Sequence, residues 1–364
     1  MDHAEETGHV ERMRFSFDSA RTEFVLAEGA LTRPLRYLNA YRDVKLLIIS
    51  DSNLVQPYAR PLRDTLEGSG FDARLLLTPA GEEGKTLNTL TRLYEQCLAL
   101  EVERGDVVVA VGGGAVGDVA GVLAGTYLRG LEFIQVPTTL LSMVTASLGG
   151  KAGINFGGYK NLVGVFKHPS VVIADPHALR TLPEIEFRSG LGELVTVGVL
   201  GAPEIVEQME SGGLLSLPQM IAAAVRCKGA IVEADPFDRL GVRARLNLGH
   251  TFGHALERLS GFTLPHGLAV ATGLNIACDL AVRLSLCAGA VAERVRRLTL
   301  ALNLPTTTEG YSPEQVLAAM RGDKKRRGGR LQFVLPKALG EVVLVGEEQI
   351  PPALLEDALR SALR

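Results

Sequence analysis

The chain has 364 residues, 46% of them hydrophobic and 22% charged, with a formal net charge of −3. That length predicts two domains of ordinary size, and the near-neutral charge leaves no electrostatic footprint for nucleic acid or an anionic membrane, so the expected partners are small molecules and sister subunits. Four scattered cysteines, Cys97, Cys227, Cys278 and Cys287, form no Cys-x-x-Cys pair, which argues against a disulfide framework or a thiolate metal site and fits a reducing cytoplasm.

Residues 1–12 are polar, carry mixed charge and read as a disordered tail with no signal-peptide core. No later run reaches the ~18 apolar residues needed to cross a bilayer. From about residue 20 to 180, β-branched runs at 45–50, 106–111, 133–136 and 171–174 alternate with apolar-periodic stretches at 58–68 and 86–100. Those runs read as strands buried on both faces and the stretches between them as helices. The texture changes past Pro183. Helices are expected over 184–200, 217–235, 250–259, 267–286 and 290–302, with late strands at 331–335 and 342–345. The predicted fold is α/β: an N-terminal Rossmann-like, mostly parallel sheet domain over 1–180, then a mainly α-helical, metal-binding domain over 181–364. Ligands of such sheets sit outside the carboxyl ends of the strands, where a second domain can close over them.

Within the first domain, Gly112, Gly114 and Gly117 match G-x-G-x-x-G between a strand and a small-residue helix expected over 118–128. Lack of Cβ there lets backbone approach a pyrophosphate at the positive end of a helix, although a glycine turn packed on a neighbour has the same look. The acidic residue usual ~20 positions later is absent, and Asp51, ending an earlier strand, is the substitute for a ribose hydroxyl. The reading is a nicotinamide dinucleotide site of non-standard strand order. Farther on, Lys151, Lys160 and Asn161 lie in a glycine-rich segment over 149–161, suited to anionic oxygens or else a solvated loop. Arg129, Lys228, Arg243, Lys324 and Lys325 are further cations, each by itself an ordinary surface charge. The basic run 323–329 reads as a solvated turn.

Three of the seven histidines crowd between Leu246 and His266. His250 and His254 are four apart and share a helix face, and His266 follows a short turn that can fold back beside them. Two fixed imidazoles and a carboxylate hold a divalent transition metal while leaving positions open for substrate. Isolated surface histidines are the alternative.

Taken together, these motifs resemble the 3-dehydroquinate synthases of the sugar phosphate cyclase family over nearly the whole chain. The carrying residues are Gly112 to Asp118, Thr126 to Gly130, Pro137 to Leu141, Gly149 to Lys151, Lys160 to Gly164, Leu182 to Glu184, Gly192-Glu193, Leu246 to His254, His266-Gly267 and Asp323 to Lys325. The resemblance implies Zn²⁺ or Co²⁺ held by Glu193, His250 and His266, with His254 acting on substrate. It implies NAD on Gly114, Ala115, Val116, Gly117 and Asp118, with Gly81, Glu82, Glu83, Lys85, Thr138, Thr139, Lys151, Lys160, Ala178, Leu179, Arg180 and Thr181 alongside. Asn161, Lys228, Arg243, Asn247 and Lys324 or Lys325 would hold the phosphate and carboxylate of substrate, with Lys151 in the catalytic set as well. Arg129 would reach a neighbouring subunit's site, making a homodimer the expected unit.

Enzymes of this kind convert 3-deoxy-D-arabino-heptulosonate 7-phosphate to a carbocycle and phosphate. Transient oxidation by NAD⁺ acidifies a C–H, phosphate leaves, hydride returns, and an intramolecular aldol closes the ring, so the net reaction is that of a lyase. An imidazole with a pKa near ~6.5 suits the proton transfers expected of His254. Three positions depart from the family pattern: Thr145 stands where Asp is usual, Thr196 where Lys is, and Leu268 where Glu is. Arg243 favours a substrate carboxylate, which sedoheptulose 7-phosphate lacks. The alternatives are a cyclase for such another sugar phosphate, a weakly active or inactive paralogue, and an NAD-dependent metal polyol dehydrogenase.

Overall fold

A computed structural model describes residues 10–363 apart from 19, 213–215 and 328–330, with backbone alone over 322–327. The chain divides into two units, Met1–Leu182 and Pro183–Arg364.

In the first unit the strands are β1 (Val10–Phe17), β2 (Ala20–Ala27), β3 (Lys45–Asp51), β4 (Asp72–Thr78), β5 (Val107–Gly112), β6 (Glu132–Pro137), β7 (Lys151–Phe156), β8 (Tyr159–Phe166) and β9 (Val171–Ala174). Seven of them form one sheet in the order β1-β2-β9-β6-β5-β3-β4, parallel throughout except for β1. Helices α1 (Leu35–Leu38), α2 (Arg60–Gly68), α3 (Leu87–Ala99) and α4 (Gly114–Thr126) complete it. Alternate residues of β3 and β5 feed two cores. Leu47, Ile49, Val108 and Ala110 pack with Leu90, Leu93, Val119 and Leu123, whereas Leu46, Ile48, Val107 and Val109 pack with Leu38, Leu62 and Leu66. A strand covered on both faces needs no polar residues, which is why these runs are unbroken. The chain runs from β3 to β4 on one side and from β5 through β6 to β9 on the other. The strand order therefore reverses between β3 and β5, where an open α/β sheet offers a crevice.

Four expectations are corrected here. The proposed tail over 1–12 stops short of Val10, because Met13, Phe15 and Phe17 alternate inward and pair β1 with β2 from Val10 onward; residues 1–9 lie outside the described residues. The small-residue helix starts at Gly114, inside the glycine motif, and ends at Thr126. The glycine-rich segment after residue 149 is no open loop but the antiparallel hairpin β7–β8. It lies on α4: a Cβ on Gly121 would stand 2.6 Å from that of Ala152, and one on Gly125 would stand 2.6 Å from Val165 Cγ2. The fourth is the basic run after Arg321, whose backbone continues a helix to Arg327 instead of turning.

The second unit holds helices α5 (Glu184–Gly201), α6 (Pro203–Gly212), α7 (Leu217–Ala234), α8 (His250–Leu259), α9 (His266–Arg283), α10 (Gly289–Ala301), α11 (Pro313–Arg327) and α12 (Pro352–Ala362), with the hairpin β10 (Gln332–Ala338) and β11 (Glu341–Gly346). Helix α9, apolar on nearly all sides, is central and packs against α5, α8, α10, α12 and β10. Two of these contacts are backbone to backbone. A Cβ on Gly192 of α5 would stand 2.1 Å from Gly267 O, and one on Gly273 would stand 2.1 Å from Gly249 O. Among the described residues no helix is long and apolar enough to cross a membrane.

These contacts make Gly267 a sharp test, since a Cβ there would lie 1.8 Å from Ser189 O. Overpacking of this kind costs about 1–3 kcal/mol or more, so Gly267→Ala is expected to lower stability in chemical denaturation by roughly 3 kcal/mol. Gly289→Ala, with nothing within 4 Å of its new Cβ, should stay within about 0.5 kcal/mol of the parent.

Candidate active site

In the second unit, three helices deliver the predicted metal ligands to one point. Glu193 Oε1 lies 3.2 Å from His250 Nε2 and 2.9 Å from His266 Nε2. The far ring nitrogens are engaged too: His250 Nδ1 lies 2.9 Å from Leu248 O and His266 Nδ1 3.0 Å from Glu257 Oε2. A carbonyl and an ionised carboxylate only accept, so both Nδ1 atoms carry the proton, and in the neutral rings both Nε2 atoms then turn a lone pair toward the same carboxylate oxygen. Lone pairs aimed at an anion repel unless a proton or a cation lies among them.

A proton serves one imidazole. Burial works against the charged His266 ring, but Glu193 and Glu257 together outweigh it and raise its pKa to about 10. Burial likewise works to raise the Glu193 carboxyl, and His250 and His266 overcome that to hold it well below the usual carboxylate range. A divalent cation serves all three donors. Ligands ~2.0–2.1 Å from zinc at tetrahedral angles stand roughly 3.3 Å from one another, close to the 2.9 and 3.2 Å between Glu193 Oε1 and the two ring nitrogens. The donor set fits such an ion. His254 joins a wider group in which nitrogens of His250, His254 and His266 all lie within 4.8 Å of each other, but it is the exposed member.

The 3-10 turn Val242–Asn247 leads into α8 through Gly249, whose φ of 74° lies in the left-handed region open to glycine. The turn carries Arg243, buried with Nη1 donating to Pro236 O at 3.0 Å, and the exposed Asn247. Burial pulls the Arg243 pKa down, with Asp238 and Asp235 acting against it. The buried carboxylate of Asp235 organises the preceding loop by accepting from the backbone N–H groups of Arg239, Leu240 and Val242. Lys228 stands half-buried on α7. The side chains of Lys324 and Lys325 lie outside the described residues.

In the first unit the predicted dinucleotide contacts gather at the carboxyl ends of the parallel strands. Asp51 ends β3, beside the Gly112 end of β5, and burial raises its carboxyl pKa against hydrogen bonds from Asn53 and Leu54. Gly112 and Gly117 are glycines for packing, since a Cβ would stand 2.6 Å from Val116 Cγ2 in the first case and 3.0 Å from Gln135 Oε1 in the second. At Gly114 a Cβ would meet only Ala146, at an ordinary 3.5 Å. Packing does not demand glycine there, and the amides of the first turn of α4, with Ala115 and Val116, lack a side-chain cap. Thr138 N donates to Gly112 O at 3.0 Å, while the buried Thr138 Oγ1 has no hydrogen-bond partner. Thr139 packs on Gly113. An orphaned hydroxyl beside an uncapped glycine-led helix fits a phosphorylated nucleotide.

Lys85 is buried, and its Nζ donates to Asp118 Oδ2 at 2.7 Å and to Asn161 Oδ1 at 2.5 Å. Glu82 accepts from Asn155 Nδ2 at 2.8 Å, and Asn155 Oδ1 in turn accepts from the Asn161 backbone. The network thus joins the 3-10 turn Gly81–Gly84, which includes Glu83, to α4 and the β7–β8 hairpin that bears Lys151 and Lys160. Ala178, Leu179, Arg180 and Thr181 form a 3-10 turn after β9, where Tyr58 Oη donates to Ala178 O at 3.0 Å and also bonds Thr181 Oγ1. Arg129 stands exposed on the turn closing α4 at φ 69°, beside Leu128 at φ 48°.

The three departures have defined surroundings. Thr145 Oγ1 donates to Leu141 O at 2.8 Å and Thr196 Oγ1 to Gly192 O at 2.9 Å, each one helical turn back. Leu268 is a buried residue of α9. Sequence reasoning missed Glu257 altogether. Its signal was spacing alone, seven residues after His250 and three after His254, on the helix face that bears both histidines.

The N-terminal family of 3-dehydroquinate synthase matches residues 75–189, and the C-terminal family of the same enzyme matches 190–326. The 3-dehydroquinate synthase of Synechococcus sp. (strain CC9605) is 38% identical over 357 residues, 94% of this chain and 96% of that protein. Among solved structures, 2-deoxy-scyllo-inosose synthase in complex with carbaglucose-6-phosphate, NAD⁺ and Co²⁺ has a TM-score of 0.86 at 26% identity, covering 97% of this chain and 100% of that one. The 2-epi-5-epi-valiolone synthase from Streptomyces hygroscopicus subsp. jinggangensis 5008, with NAD⁺ and Zn²⁺ bound, has a TM-score of 0.85 at 27% identity, with 95% and 96% covered. With both family halves matched in order and this identity across nearly its full length, the chain belongs to the 3-dehydroquinate synthase family.

Proposed function

We propose that this protein is a 3-dehydroquinate synthase, a phosphate-eliminating lyase that converts 3-deoxy-D-arabino-heptulosonate 7-phosphate to 3-dehydroquinate with NAD and Zn²⁺ or Co²⁺. The observation that carries this reading is the meeting of Glu193 Oε1 with His250 Nε2 and His266 Nε2. A buried ionic cluster contributes little to stability, so its use lies in chemistry.

Bound NAD supplies a reversible hydride acceptor, and a bound divalent ion polarises the oxygen of the carbinol being oxidised. Glu193, His250 and His266 are the proposed ligands. His254, exposed on the same helix, moves a proton at substrate oxygen. Arg243 holds the substrate carboxylate, because a guanidinium kept in a buried site is matched by a planar anion. Lys151, Lys228, Asn161, Asn247, Lys324 and Lys325 orient its phosphate and hydroxyls. Lys85, tied to Asp118 and Asn161, sets the spacing of the nucleotide loop.

Thr145 and Thr196 favour one second reading, a cyclase for another sugar phosphate. Their hydroxyl protons are already given to backbone, so each can only accept from a ligand, where the family's charged side chains would pair.

The proposed unit is a cytoplasmic homodimer. Phe156, Leu162 and Phe166 are 52%, 59% and 41% exposed along the β7–β8 hairpin, an apolar surface suited to a second copy, and Arg129 is carried on the same unit. All four cysteines are free, which suits a reducing compartment.

Purified protein given NAD⁺, Zn²⁺ or Co²⁺ and the heptulosonate phosphate is expected to release phosphate without accumulating NADH. Release from sedoheptulose 7-phosphate alone would select the second reading, and accumulating NADH would defeat both. Stripping the metal with a chelator should abolish turnover until Zn²⁺ or Co²⁺ is returned, and Glu193→Gln should lower kcat/KM by ~100-fold or more with loss of bound metal by elemental analysis. In sedimentation velocity the protein should run as a dimer and Leu162→Glu as a monomer.

A further inference from the structure

We propose that Glu257 is the positioning residue of the metal centre, fixing the tautomer and ring orientation of His266 from behind. The proposal rests on the metal-site reading above. Glu257 lies on α8, its side chain only 6% exposed, and its Oε2 is 3.0 Å from His266 Nδ1 on the neighbouring helix. A carboxylate buried to this degree needs a partner of matching chemistry. Here the partner is the nitrogen on the side of the imidazole opposite Glu193. By accepting the Nδ1 proton, Glu257 leaves Nε2 as the ligand atom and makes the ring a stronger donor. His250 has a weaker counterpart, since its Nδ1 donates to the neutral carbonyl of Leu248. The two imidazoles are thus unequal, and His266 is the one backed by charge. Charge balance points the same way, because two carboxylates, two neutral rings and one divalent cation make a neutral buried centre.

The test uses full-length protein stripped of metal, as wild type, Glu257→Leu and Glu257→Gln. Zn²⁺ affinity is read by competition with a chromophoric chelator, and the Co²⁺ environment by its visible ligand-field spectrum. Wild type is expected to bind one equivalent. Glu257→Leu, with no acceptor, should bind ~10–100-fold more weakly and give a changed Co²⁺ spectrum, while Glu257→Gln, which still accepts from Nδ1, should recover most of the affinity. Leu256→Ala, a buried neighbour, should lower Tm and leave metal affinity unchanged. If Glu257→Leu does not fold, ¹⁵N shifts of the wild-type histidines decide, with His266 expected protonated at Nδ1 and metallated at Nε2. Unchanged affinity in both Glu257 variants, or a His266 metallated at Nδ1, overturns the inference while leaving the metal site standing. A wild type that binds no stoichiometric metal overturns the site reading itself.

Discussion

Three helices of the second unit touch through bare backbone, and the meeting of Glu193, His250 and His266 follows from that contact. Gly192 of α5 meets Gly267 of α9, Gly249 meets Gly273, and Gly253 would place a Cβ 3.1 Å from Ala269 O. Each functional side chain is the sequence neighbour of one of these glycines: Glu193 follows Gly192, His250 follows Gly249, His254 follows Gly253, and His266 precedes Gly267. Helices separated by ordinary side chains run 8–10 Å apart. The glycines let the helices approach, and the residues beside them inherit the proximity.

That proximity has an electrostatic consequence. Glu193, with 5% of its side chain exposed, and Glu257, with 6%, bring two negative charges into a poorly solvated place, where each ion would cost several kcal/mol if left uncompensated. Protonation of His266 answers part of this, as its raised pKa records. A divalent cation would answer it more fully, because it would replace a shared proton with a fixed double charge. The glycine turn of the first unit is different: Lys85 is committed to Asp118, while the helix-end amides of α4 lack a side-chain cap and the Thr138 hydroxyl lacks a hydrogen-bond partner.

What was legible in the sequence tracks how each segment is buried. Strands β3, β5, β6 and β9 were visible because both faces are covered and the apolar run is continuous. The patterns of β1, β2 and β4 are broken by charged residues, and β1 and β4 are edge strands that look like loops until a sheet supplies the partner. Glycine hid the β7–β8 hairpin, where Gly164 lies against the backbone of Ala152 on the facing strand, and the glycines that let it pack closely on α4 are Gly121 and Gly125 of the helix. The histidine cluster was legible from spacing alone, whereas Glu193, 57 positions before His250, entered only through resemblance. Glu257 went unseen because a glutamate three residues after a histidine has the look of a solvated helix position. Its meaning comes from α9, which folds back to place His266 against it.

The departures at Thr196 and Leu268 are consistent with the same packing. Thr196 donates to the carbonyl of Gly192, the residue at which α5 meets α9, so its hydroxyl steadies the helix at the contact. At 2% exposure the position is sealed, and an ammonium there would need either a buried anion or a path to solvent. Leu268, next to Gly267, fills apolar space in the same way. Thr196 and Leu268 thus bring no charge to this packed frame. Where the frame carries no charge of its own, the proposed pairing of Arg243 with a carboxylate is the physical reason to favour the heptulosonate over a sugar phosphate that lacks one.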